Sequence, residues 1–157
     1  MLKAILIDDE YYALQMLKTQ INKLGKVEIL GMYEYADEGI AGVKAQNPDI
    51  VFLDIDMGDT NGLNVFTELM EHNPMLSIVF VTAYEKFAVD AFELDALDYI
   101  VKPVRVDRLK KTLDRIEKER SVPAVPRQLA IECFGGFSIK LNGRTVSIQW
   151  RTKKTVE

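Results

Sequence analysis

Four apolar runs in this chain stop at residues that together suit a carboxylate for accepting a phosphoryl group. LKAILI is followed by Asp8-Asp9-Glu10, DIVFL by Asp54, SIVFV by Thr82, and DYIV by Lys102-Pro103. An aspartate is a weak nucleophile, yet carboxylates do form acyl-phosphates in enzymes. That chemistry needs a hard divalent cation between carboxylate and phosphoryl group, and Mg²⁺ is commonly held by one or two carboxylates plus phosphate oxygens. It also needs hydroxyl or cationic donors for the remaining phosphoryl oxygens, on a support rigid enough for in-line attack. Asp54, after the central apolar run, is the natural nucleophile. Asp8, Asp9 and Asp54 are the metal carboxylates, Asp56 offers a backbone carbonyl to the same ion, and Thr82 and Lys102 are the donors. Three carboxylates in one pocket repel one another unless a cation is present. Pro103 directly after Lys102 is expected to reverse the chain through a cis bond that aims the lysine inward.

Taken singly, each residue has a plainer reading. An aspartate after a strand often caps a helix, and a lone lysine is ordinarily solvated. The weight lies in their joint placement, which requires four strands ending at one edge. The pattern supplies them, with strands at Leu2–Ile7, Val27–Tyr33, Ile50–Asp54, Ser77–Thr82 and Tyr99–Val101. Between them, Leu14, Leu17, Ile21 and Leu24 recur at helical spacing up to Gly25, a natural stop. Asp37 is placed to cap a short helix carrying Ile40 and Val43. Leu63, Phe66, Leu69 and Met70 form the next apolar face, Phe87 to Leu94 a fourth helix, and Val106, Leu109, Leu113 and Ile116 a last stripe. Five β-α units with near-continuous apolar strands imply a parallel sheet covered on both faces. The size fits a flavodoxin-like doubly wound α/β fold with strand order 2-1-3-4-5, whose ligands bind outside the carboxyl ends of the strands.

Composition narrows the alternatives. Of 157 residues, 48% are hydrophobic and 28% charged, as in a globular protein. No apolar run approaches the roughly 18 residues of a membrane span, and Met-Leu-Lys enters a strand at once without a signal peptide. These features place the chain in the cytoplasm. Cys133 is the only cysteine, which excludes an internal disulfide framework. His72 is the only histidine, so metal sites built on several histidines are excluded. Residues 1–119 carry 13 Lys+Arg against 22 Asp+Glu, a net of −9, whereas residues 120–157 carry 7 against 2, a net of +5. An acidic body and a basic tail suggest two modules with different partners, the second a polyanion.

The tail changes pattern. Residues 120–127, with two prolines in Ser121-Val-Pro-Ala-Val-Pro126, read as an extended linker. Leu129–Phe134, Phe137–Leu141 and Thr145–Ile148 then alternate as strands, with Asn142-Gly143 a strong hairpin signal. Trp150-Arg151-Thr152 opens a helix start. A three-stranded meander is marginal alone, so residues 128–157 read as the front edge of a second domain.

Ile7-Asp8-Asp9-Glu10, the run ending at Asp54, Thr82-Ala83-Tyr84 and Asp98-Tyr99-Ile100-Val101-Lys102-Pro103 resemble the receiver domain of two-component response regulators, in order and spacing across residues 1–119. The resemblance implies that Asp54 takes phosphate from a histidine kinase, that Asp8 and Asp9 hold Mg²⁺, and that Thr82 and Lys102 contact the phosphoryl group. It places Tyr99 on the aromatic switch position. It further implies that the fourth helix, fifth strand and fifth helix, about residues 84–119, form a homodimer face. Arg105, Arg108, Lys110, Lys111 and Arg115 lie there beside Asp90, Glu93, Asp95 and Asp107, as candidates for intersubunit ion pairs. The chain departs from the family at Met57-Gly58-Asp59-Thr60, where many receivers carry a proline. Gly58 is expected to loosen that loop and Asp59 to add negative charge. CFGGF at 133–137, LNGR at 141–144 and WRTKK at 150–154 are similar to the N-terminal β-platform of OmpR-like winged-helix domains of SARP/BTAD type. Such domains read DNA with a recognition helix that the family places after this segment.

The expected function is therefore a response regulator whose phosphorylation controls dimerisation and transcription. It is not an enzyme beyond catalysing its own phosphotransfer and dephosphorylation. A receiver acting by protein docking without DNA is the alternative. A haloacid-dehalogenase-type phosphatase, which Asp54/Asp56 superficially suits, lacks room for a cap domain and does not explain the Asp8-Asp9 pair.

Overall fold

A computed structural model describes residues 1–58, 60–84 and 96–121, together with the backbone of three strands at 129–132, 138–141 and 144–146. The elements in chain order are β1 (Leu2–Ile7), α1 (Tyr11–Leu24), β2 (Val27–Tyr33), α2 (Ala36–Gln46), β3 (Ile50–Leu53), β4 (Asp56–Met57), β5 (Thr60–Asn61), α3 (Gly62–His72), β6 (Ser77–Thr82), β7 (Asp98–Val101) and α4 (Val106–Ser121). Five strands form a parallel sheet in the order β2-β1-β3-β6-β7. With the two-residue β4/β5 ladder set aside, that is the expected 2-1-3-4-5 winding.

The sheet faces divide the core by strand period. Ile5, Ile7, Val51, Leu53, Ile78 and Phe80 pack on one side with Val65, Phe66 and Leu69 of α3. Ala4, Leu6, Phe52, Val79, Val81 and Ile100 pack on the other with α1 and α4. Successive strand residues point to opposite faces, and helical ones repeat every three or four, so each stripe meets a sheet face. A Leu or Ile buried as fully as Leu53, Leu109 or Ile116 contributes roughly 1.5–3 kcal/mol.

Several helix ends differ from expectation. Gly25 closes α1 in a left-handed conformation as predicted. Asp37 does not cap α2. Extended Tyr35 occupies the cap, and Asp37 sits in the first turn, where its carboxylate accepts the Glu38 N–H. β3 ends at Leu53, leaving Asp54 just beyond the strand. α4 continues through Arg120 and Ser121, which the sequence assigned to the linker, because nothing before the first proline stops the helix. The expected helix at Phe87–Leu94, Asp59, the rest of the linker, CFGGF, Asn142-Gly143 and the helix start at Trp150 lie outside the described residues.

The chain divides into two compact units, Met1–Glu117 and Lys118–Glu157. In the second, β8 (Leu129–Glu132), β9 (Ser138–Leu141) and β10 (Arg144–Val146) form an antiparallel meander with β9 central.

Candidate functional site

Register brings the chemistry together. Ile7 pairs with Leu53, so the next residues, Asp8 and Asp54, emerge side by side from β1 and β3. The Asp54 N–H donates to the Ile7 carbonyl at 2.9 Å and fixes the acceptor's backbone. β6 runs further than β3, carrying Thr82 over the same edge, and Thr82 pairs with Val101 so that Lys102 follows directly. The Lys102–Pro103 bond is cis, as expected.

Asp8 and Asp54 are buried, at 4% and 5% exposure, and one carboxylate oxygen from each of Asp8, Asp9 and Asp54 lies within 4.8 Å of the others. Lys102 Nζ reaches both buried carboxylates at 2.8 Å and Glu10 at 3.6 Å. Burial drives the Asp8 carboxyl above its ordinary value, against the hydrogen bonds from Lys102 and the Glu10 N–H. Burial, then the charges of Asp54 and Glu10, raise Asp9 as well. Burial alone would lower Lys102, but its bonds to Asp54 and Asp8 outweigh that and hold it above the ordinary lysine value. The pocket is thus rich in negative charge that one ammonium only partly offsets. Hard carboxylate oxygens at this spacing fit a hard divalent cation. Thr82 is fully buried, and its hydroxyl has no hydrogen-bond partner in the structure. A buried hydroxyl without a partner is costly, which marks Thr82 as a donor aimed at a ligand.

Residues not singled out in the sequence shape the same site. Gly62 opens α3 with its N–H donating to the Ile55 carbonyl at 2.7 Å, and a Cβ there would lie 2.0 Å from the Asp54 carbonyl oxygen. Gly58 does not loosen its loop. With φ of 62° it turns the chain between β4 and β5, where Asp56 pairs with Asn61 and Met57 with Thr60. Tyr84 walls the pocket, and its hydroxyl donates to Asp56, which raises the phenol above its ordinary value. The Tyr99 ring is buried, and its hydroxyl donates to the Tyr84 carbonyl.

The expected intersubunit charges are partly committed inside the chain. Arg108 grips Asp98 at 2.8 and 2.5 Å, and Arg105 lies 3.3 Å from Asp107. Asp98 had no role in the sequence reading. Its signal was its place at the start of β7 with Arg108 and Thr112 one helical turn apart, which matters only once β7 and α4 are neighbours.

The profile of the response regulator receiver domain family matches residues 4–114. An uncharacterised response regulatory protein of Shewanella oneidensis is 35% identical over 146 residues, covering 90% of this chain and 61% of that protein. The transcriptional regulatory protein BtsR of Escherichia coli K12 is 42% identical over 122 residues, 77% of this chain and 50% of that protein. Among solved structures, the response regulatory domain of protein mrkE from Klebsiella pneumoniae superposes with a TM-score of 0.68 at 32% identity, covering 74% of this chain and 96% of that one. The chain spans about half to three-fifths of the length of these curated relatives.

Proposed function

The chain belongs to the response regulator receiver domain family, and from that premise we propose that Asp54 accepts a phosphoryl group from a histidine kinase in a Mg²⁺-dependent step. The observation that carries this reading is Lys102 bridging Asp8 and Asp54 beside the buried, unpartnered Thr82 hydroxyl. An Asp54 carboxylate oxygen forms the new bond to phosphorus as the donor's P–N bond breaks, leaving the kinase histidine neutral or protonated. Asp8, Asp9, Asp54 and the Asp56 carbonyl would hold Mg²⁺, which offsets charge between carboxylate and phosphoryl group. Lys102 and Thr82 take the remaining phosphoryl oxygens. The chain catalyses only its own phosphorylation and dephosphorylation.

Phosphorylation adds charge at the strand ends, Thr82 and Lys102 turn toward it, and the buried Tyr99 ring moves into the vacated space. The residues around β7 and α4, within 84–119, then favour a homodimer. This is a two-state element biased by a local charge event. The output is transcriptional: residues 1–119 receive the signal, 120–127 link, and 128–157 begin a winged-helix DNA-binding domain. Its basic charge and antiparallel meander support that assignment, and the relative BtsR is named a transcriptional regulatory protein. No helix among the described residues is long and apolar enough to cross a membrane, and we place the protein in the cytoplasm.

Incubation with acetyl phosphate and Mg²⁺, followed by intact mass and sedimentation, tests the reading. One phosphate on the wild type, none on Asp54→Asn, and a shift toward dimer are expected. Modification persisting in Asp54→Asn would overturn the acceptor.

A further inference from the structure

Tyr99 is held at three points, and two of them come from one side-chain cluster. Its hydroxyl donates to the Tyr84 carbonyl. Its backbone N–H donates to Asp98 Oδ1 at 2.9 Å, and its carbonyl accepts from Arg108 Nη2 at 3.0 Å. β7 ends the sheet order among the described residues, so side chains take up main-chain groups that a further strand would otherwise bond. The cluster is tightly built. Arg108 binds Asp98 through both terminal nitrogens, and Thr112 Oγ1 donates to Asp98 at 2.7 Å while accepting from Arg108 at 2.9 Å. Thr112 is fully buried, and the Asp98 side chain is only 12% exposed. A bidentate guanidinium–carboxylate pair shielded in this way is directional and stronger than a surface ion pair.

We infer that Arg108 is a positioning residue for Tyr99, holding the strand backbone so that the ring stays inward with its hydroxyl on Tyr84 until the Asp54 site is charged. The inference rests on the reading of Tyr99 as the switch. Physically, a ring can move between two discrete places only if its backbone is fixed. Loss of Arg108 removes the bond to the Tyr99 carbonyl and leaves Asp98 half-buried without its cation, which frees the N–H contact as well. The inward ring position then loses its support without any phosphoryl group present. Arg108 thereby belongs to the resting state of the switch, and its use in an intersubunit ion pair would require this cluster to open.

The test uses the full chain labelled with 3-fluorotyrosine and no phosphoryl donor, the Tyr99 resonance being assigned by its loss in Tyr99→Phe. In Arg108→Gln the Tyr99 resonance moves toward the solvent-exposed position, with the outward population rising by roughly tenfold or more, the scale of losing a hydrogen bond to a charged group. Asp98→Asn gives the same displacement. Arg108→Lys restores only part of the inward population, because an ammonium cannot reproduce the two-nitrogen grip. A Tyr99 resonance unmoved in folded Arg108→Gln, however much lower that variant melts, reduces Arg108 to a structural brace and overturns the inference. Should Arg108→Gln not fold, an unmoved resonance in both Arg108→Lys and Asp98→Asn has the same force. Failure of the wild type to take phosphate would sink the receiver reading instead, and the donor-free Tyr99 measurement would still decide the positioning role.

Discussion

Lys102 Nζ stands 2.8 Å from Asp54 Oδ2, with the same nitrogen equally close to Asp8. The ammonium therefore occupies carboxylate oxygens that a divalent cation would need, and the two cations compete. Lys102→Gln is expected to bind Mg²⁺ severalfold more tightly by calorimetric titration, since an unpaired carboxylate pair gains more from the ion. The same variant should accept phosphate far more slowly, having lost a donor to the phosphoryl oxygens, on the scale of 10²-fold or more. Weaker Mg²⁺ binding in Lys102→Gln would remove the competition argument.

Asp8 is a buried carboxylate raised above its ordinary value, chiefly by desolvation. A folded value above the unfolded one means the fold is best served by the neutral form. The penalty is absent below about pH 4, the unfolded carboxylate range, and is fully felt above the folded value. Asp8→Asn removes the charge and keeps an oxygen for the Glu10 N–H. Thermal melts in chelator at pH 7 should show the variant several degrees more stable, where about 1 kcal/mol corresponds to roughly 4 °C. A lower melting point would mean the bond to Lys102 outweighs the burial of charge.

Asp98 moves the other way. Burial alone would raise it, yet the hydrogen bonds from Arg108, Thr112 and the Tyr99 N–H prevail and hold it below the ordinary range. A depressed folded value gives stability that is present above the unfolded value and lost as pH falls through the folded one. Urea unfolding of the wild type should therefore weaken on acidification below about pH 4, the unfolded carboxylate range. Asp98→Asn should be destabilised by about 1–3 kcal/mol at pH 7, for a buried charged hydrogen bond lost. Its deficit relative to wild type should shrink at pH 3; a deficit independent of pH would contradict the assignment.

Gly62 admits no side chain where α3 begins, because its Cβ would sit 2.0 Å from the Asp54 carbonyl oxygen and 2.8 Å from Ile55 Cα. Both obstacles are backbone and cannot swing away. Gly62→Ala should cost at least about 1–3 kcal/mol in denaturant unfolding, the range for overpacking. It should also slow phosphate uptake from acetyl phosphate by displacing Asp54. A variant as stable and as reactive as wild type would show that the α3 start yields freely.

Much of the site was legible in the chain because its determinants are local. An apolar run of five or six residues that stops at a carboxylate, hydroxyl or lysine announces a strand end, and Asp8, Asp9, Asp54, Thr82 and Lys102 were all found that way. Gly25 as a helix stop and the meander after residue 128 are equally local, as backbone preference and period-two alternation act over a few residues. Asp37 shows the limit, since a favoured capping residue two positions inside the true start was outcompeted by the geometry at Tyr35.

What the sequence determined by itself was the set of reactive groups and the number and kind of elements carrying them. The tertiary structure decided which groups are neighbours. Only strand order and register put Asp8 beside Asp54 and let Lys102 bridge them. Only the packing of α4 along β7 turned Arg108 from a free surface charge into the partner of Asp98 and of the Tyr99 backbone. Gly62 gained its meaning from an oxygen eight residues earlier that the helix start must pass at close range. The physical reason is common to all three. Propensity and periodicity are set by adjacent residues, whereas ion pairing, steric exclusion and burial of charge depend on separations in space that the order of residues does not state.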